Sequence, residues 1–270
     1  MVRSPGIRGT ATRGVLAALM AGVVVSACGR EAPAVSSTPK EAWVDQPVSD
    51  WPDFVLSNDI VFADTTFSYL ANAFAVDTGA DTVGVTCKHV FMVLHSLRGT
   101  SSVALGDDFV SWTLRSSRDS TRMLRTQRLI NADPSEPIGD FAGIKDRDWL
   151  IFELGNWEEG VYPLKVRYTA VNPGEVVYAI GRSRQGRHQP DPVLSPLRVY
   201  RTTPNYYYVN PLDPEIDAVA TSGSPVTDQS GYLVGLVSGG SGKLGVVAGV
   251  AYLRHLFDRY GIPYGTPEGS

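Results

Sequence analysis

The chain has 270 residues, 43% hydrophobic and 19% charged. That is enough apolar material for one large domain or two small ones, and it excludes a chain too polar to fold. The formal net charge of −4 is mild and carries no signature of nucleic-acid binding.

The first elements read as an export signal. Arg3, Arg8 and Arg13 make a positive start, and Gly14 to Val25 is an uncharged apolar run too short for a comfortable membrane span. "VSAC", Val25 to Cys28, follows. Small residues directly before a cysteine resemble the bacterial lipobox. That resemblance implies a lipoprotein signal peptide over residues 1–27, cleavage before Cys28 and lipid on its thiol. It further implies an extracytoplasmic domain in the cell envelope, held to the membrane by its N-terminal lipid. Cleavage removes three arginines and no acid, leaving a chain three charges more negative. Cys87 is then the only thiol left, so the mature domain can form no intrachain disulfide and must be held by core packing. Residues 28–55, rich in Ala, Pro and Ser through Asp50, read as a flexible tether. The folded domain is expected over 56–265.

Within it the apolar runs are short and turn-bounded. Residues 72–78 and 82–86, separated by "GAD", read as a hairpin. Further strands are expected at 102–105, 110–115, 123–132, 149–154, 176–180, 197–202, 206–209, 232–238 and 245–251. Two stretches look helical: "CKHVFMVLHSL" after the hairpin, and "YLRHLFDRYG" near the end, with its Gly261 stop. The 27 glycines and 18 prolines suit this turn-rich pattern. Many strands and few helices predict an all-β sandwich or barrel.

Three local motifs carry chemistry. "GVTCKHVF" runs a strand end into His89, "DRDWLIFEL" sets Asp148 at the head of an apolar strand, and "VATSGSPV" holds Ser222 in a tight small-residue loop. A serine hydroxyl is a weak nucleophile at neutral pH and needs an adjacent base. An imidazole can take its proton and later hand it to the leaving amine. A buried carboxylate fixes the imidazole tautomer and stabilises the imidazolium.

In these motifs the sequence resembles the trypsin/chymotrypsin-like serine protease superfamily, particularly its disulfide-poor bacterial branch. "TCKH" stands where the family has "TAAH", "DWLIF" stands for "DIALL", and "ATSGSP" stands for "GxSGGP". "GYLVGLVSGGSG" resembles the hairpin lining the substrate cleft, and "NPGEVVYAIG" the first strand of the second barrel. The likeness implies two six-stranded β-barrels with a short C-terminal helix, and a serine endopeptidase that needs no cofactor or metal and takes a protein or peptide substrate. It also implies that Ser222 attacks, His89 is the base and Asp148 orients it, with the backbone N–H groups of Ser222 and Ala220 as the oxyanion hole. Ala220 departs from the usual glycine and favours an alternative, a catalytically impaired binding or scaffolding module of the envelope. A plain β-protein with a chance motif is a third reading; it predicts the three residues far apart.

The family's specificity pocket falls on Ile216, Asp217, Ser238, Gly239 and Gly240. With Ile216 at the pocket base, neutral side chains are expected before the cut; a one-residue slip would bring in Asp217. Asp146 is the fallback acid. His95 reads as helix surface, His255 as packing, and His188 as part of a solvated basic loop, "GRSRQGRH". Cys87 reads as a small buried filler, and residues 205–210 as an edge strand or substrate rim.

Overall fold

The computed structural model describes residues 39–155, 160–183, 186, 189–213, 222–241 and 244–265. The predicted signal, Cys28, His188, Ile216, Asp217 and Ala220 lie outside them.

Six strands close the first barrel: β1 (Leu56–Phe62), β2 (Thr66–Asp77), β3 (Thr82–Thr86), then β5 (Phe109–Ser116), β6 (Met123–Leu129) and β8 (Leu150–Leu154). The order is β1-β5-β6-β8-β3-β2, and β1 pairs back with β2. Three short strands stand outside it. β4 (Ser102–Val103) pairs with β7 (Asp133–Pro137), and β9 (Leu164–Lys165) runs parallel to β2. Helix α1 (Val90–Arg98) follows β3, and a single turn, α2 (Phe141–Ile144), precedes β8. The second barrel closes as β10-β11-β12-β15-β14-β13. Its strands are β10 (Val176–Gly181), β11 (Val193–Thr202), β12 (Tyr206–Pro211), β13 (Pro225–Thr227), β14 (Leu233–Ser241) and β15 (Leu244–Gly249). The closing helix α3 (Val250–Tyr260) buries Leu253, Leu256 and Phe257.

The hairpin expected at 72–86 is present, with β2 and β3 paired Ala73↔Thr86. Four strands carried no usable alternation signal: β1, β7, β9 and β13. β1 shows why. Both of its faces are largely covered, so buried Ser57 and Asn58 interrupt the apolar pattern. Asn58 is nonetheless satisfied: it donates to Ala71 O and Thr86 Oγ1, both at 2.9 Å, and accepts from Trp112 Nε1 at 2.8 Å.

The tether expected over 28–55 is corrected at its C-terminal end. Residues 42–45 and 48–50 form 3-10 turns packed on the domain. Trp43, Trp51 and Phe54 are buried and stack together, with Trp43 and Phe54 centroids 4.9 Å apart. Arg118 caps the carbonyls of Trp51 and Val48, while Lys165 pairs with Glu41 at 2.9 Å. The polar letters of this stretch hid three aromatics whose burial outweighs the entropy of ordering so short a segment.

Candidate active site

β3 and β8 lie side by side with Thr86 opposite Leu150. That register brings His89, three residues past β3, against Asp148, two residues before β8. The His89 backbone N–H donates to Asp148 Oδ1 at 2.8 Å, and its Nδ1–H donates to Oδ2 at 2.7 Å. Ser238 Oγ donates to the same Oδ2. Asp148 is wholly buried, whereas Asp146 is exposed on the preceding turn. A buried carboxylate must be paired and hydrogen-bonded, and Asp148 is both.

Glu136 on β7 braces this pair from outside. It accepts from Lys88 Nζ at 3.0 and 3.1 Å and from Arg147. One carboxylate therefore joins the residue before His89 to the residue before Asp148. The Lys88 ammonium is buried, and burial pulls its pKa down against the attraction of Glu136.

Burial also pulls the His89 imidazole down, but the Asp148 charge and hydrogen bond, aided by the nearby Cys87 sulfur, outweigh it and hold its pKa well above the usual value. Nε2 lies 3.6 Å from Cys87 Sγ. Phe141 meets the ring edge-on, 5.9 Å between centroids.

Ser222 comes from the second barrel, in the loop ahead of β13. Its carbonyl accepts from the Asn72 backbone N–H at 2.8 Å and from Asn72 Nδ2 at 3.4 Å. Gly223 sits at φ +78°, and a Cβ there would fall 2.1 Å from Asn72 O. Only glycine fits so close an approach in the left-handed region. Gly223 N–H donates to Val237 O at 2.8 Å, locking the loop onto β14. Gly181 serves the same end, since its missing Cβ leaves room for the buried Ser224 side chain, 1.8 Å from that position.

Ser222 and His89 line one cavity of about 870 Å3. No hydrogen bond joins Ser222 Oγ to Nε2 among the described residues. Such contacts are often long in a ligand-free enzyme and tighten around bound substrate.

A sequence model of the trypsin-like peptidase domain matches residues 71–236. The chain belongs to this family. It is a serine protease, a hydrolase of the trypsin-like class. The Rv3671c protease of Mycobacterium tuberculosis in its active form is similar to this trypsin-like protease at a TM-score of 0.52. Identity is 15%, over 95% of this chain and 97% of that one. A serine-to-alanine mutant of Rv3671c, in an inactive form, aligns at a TM-score of 0.50 and 15% identity over 86% of this chain and 99% of the other. At that identity the likeness concerns the fold alone. No curated protein sequence matches the chain.

Of the residues expected in the specificity pocket, Ser238 turns its hydroxyl to Asp148 and is buried. Gly239 lies under Phe141, where a Cβ would come 2.6 Å from the ring. Gly240 is open apart from Leu244 O, 3.6 Å from where its Cβ would stand. His95 is exposed and bonds Thr100 O, and His255 lies against Tyr252. Cys87 is fully buried in the hydrophobic core, as expected of a small filler, and its sulfur also lies 3.6 Å from His89 Nε2. Sequence reasoning missed Asn72, Glu136 and Phe141. None stands in a motif, and only strand pairing brings them to the site.

Proposed function

We propose that this protease is a lipid-anchored extracytoplasmic endopeptidase working through Ser222, His89 and Asp148. Ser222 Oγ attacks the peptide carbonyl as His89 Nε2 takes its proton. The C–N bond breaks and His89 protonates the departing amine. Water then hydrolyses the acyl-serine by the same route. The N–H groups of Ser222 and Ala220 receive the developing oxyanion. The observation that carries this reading is the wholly buried Asp148 carboxylate on His89 Nδ1, which leaves Nε2 as the basic nitrogen on the wall that also bears Ser222.

Fluorophosphonate labelling of the purified protein tests it. Label is expected on the peptide containing Ser222, with none on Ser222→Ala; folded wild-type protein that takes up no label refutes the enzyme. That result would favour the impaired binding module, a reading supported by Ala220 and by the approach of Nε2 to Cys87. Anchoring is a separate test: an alkyne fatty acid fed to the producing cells should label the protein and fail to label Cys28→Ala.

A further inference from the structure

Lys88 stands where the family motif has alanine, directly before His89. Its side chain is only 3% exposed, yet it ends in an ammonium. A buried cation must have a counter-charge, and Glu136 supplies it: Lys88 Nζ donates to Oε1 at 3.0 Å and to Oε2 at 3.1 Å. Arg147, directly before Asp148, donates to Oε1 as well. Arg147 is also fixed to the backbone, through Pro137 O at 3.4 Å and Gly143 O at 3.3 Å. Pro137 ends β7 and pairs with Ser102 of β4. The carboxylate therefore ties the two segments that carry His89 and Asp148 to a ribbon outside the barrel.

Charge makes this clasp more than a strut. Lys88 lies close enough to Asp148 for that carboxylate to favour its protonated form. The attraction is mutual: a cation that Asp148 stabilises offsets part of the field that Asp148 exerts on the imidazole. Two cations, Lys88 and Arg147, and two carboxylates, Glu136 and Asp148, make a balanced set beside His89. Without Glu136, two cations would face one carboxylate. The other ionisable groups near the set are Cys87 beside Nε2 and, from α3, Tyr252 and Arg259. Burial and then the Glu136 charge hold the Tyr252 phenol above its usual range, so it stays neutral. Arg259 is a further cation, so nothing on α3 stands in for Glu136.

Resting on the catalytic reading above, we propose that Glu136 is a positioning residue for the reaction: by neutralising Lys88 and Arg147 it holds both segments in place and leaves the charge of Asp148 to His89. Glu136→Gln leaves both cations facing Asp148, so the proton on His89 is held less tightly. Lys88→Met removes a cation, so that proton is held more tightly. NMR titration of the His89 ring, its signal identified by its loss in His89→Gln, tests both. The ring pKa should be about half a pH unit or more lower in the first variant and higher in the second, and close to wild type in the double variant. The acidic limb of kcat/KM should follow in each. Glu136→Gln should also lose about tenfold in kcat with KM little changed, since Glu136 is not in the cavity lining. A brace without the charge role would give no opposite movements. Equal ring pKa values in the wild type and both single variants, or movements of the same sign, overturn the proposal. So does a kcat/KM limb that stays put while the ring titration moves. If Glu136→Gln does not fold, Lys88→Met carries the test: a rise supports the proposal, and a fall or no change overturns it. Folded wild type that neither labels with fluorophosphonate nor cuts peptides removes the catalytic reading and the positioning role with it, whereas the ring titration of the same protein still decides the charge balance.

Discussion

The two barrels reach the site by different means. The first packs large rings, with Trp112 and Phe152 centroids 4.8 Å apart and Phe74 edge-on to Trp149. The second is filled mainly by valines, among them Val177, Val199, Val209, Val226 and Val247. The first supplies the imidazole and carboxylate from neighbouring strand ends, so one strand register places both, and charge pairing completes the geometry. The second supplies Ser222 from a loop held by backbone hydrogen bonds to Asn72 and Val237 and by a glycine that lets the chains touch. The half that holds the proposed acid and base is thus an electrostatic construction within one barrel. The half that holds the proposed nucleophile is a steric fit between two, and the two halves should fail differently when disturbed.

The largest loss is expected from Asp148→Asn. The amide reverses the hydrogen-bond sense at Nδ1, and peptidase turnover should fall about 10⁴-fold in a steady-state assay, with Ser222 still in place. Gly223→Ala attacks the other half. Its Cβ clashes with Asn72 O, and displacing Ser222 by about an ångström should slow fluorophosphonate labelling about 10²-fold. The protein should also lose about 1–3 kcal/mol in a denaturant titration, from the positive φ alone. If instead the Asp148 variant loses its fold and the Gly223 variant only its rate, the contrast is misdrawn.

The pH profile sharpens the contrast. The native imidazole binds its proton more tightly than the unfolded one. It is therefore cationic, and useless as a base, until the pH passes a pKa above the ordinary histidine value. The acidic limb of kcat/KM should lie above about 6.5 and move down in Asp148→Asn, which removes the charge that holds the proton on His89. Linkage has the same sign. The stability His89 contributes is complete below its unfolded pKa and disappears as the pH rises through the folded one, which thermal melts across that window would register.

The smallest effect is expected from Cys87→Ala. It removes the sulfur beside Nε2 and frees that nitrogen for Ser222, so labelling should quicken by a few-fold, about 1 kcal/mol or less of barrier. A marked slowing would show that Cys87 supports the imidazole instead of competing with the serine.

Much of the site was legible because its chemistry sits in short motifs. His89 ends a strand, Asp148 begins one, and Ser222 lies among residues small enough for a tight turn. The strands with clear alternation were legible for a similar local reason. β1 was not, because its buried serine and asparagine look polar until Trp112 and Thr86 are seen to satisfy Asn58. The segment at 42–55 was not, because two 3-10 turns leave little periodicity, and its order rests on Arg118 from far along the chain. Ser238 sat inside a recognised motif, but its partner could not be read there: the hydroxyl turns inward to Asp148.

By itself the sequence determined the residue types, their chain order and the alternation that makes barrels, since strand periodicity and turn chemistry are properties of neighbouring residues. Tertiary structure alone decided that Glu136 would clasp Lys88 and Arg147 and that Asn72 would hold Ser222. Each of these is a contact between residues distant along the chain, set by strand pairing and close packing, and no local pattern encodes it.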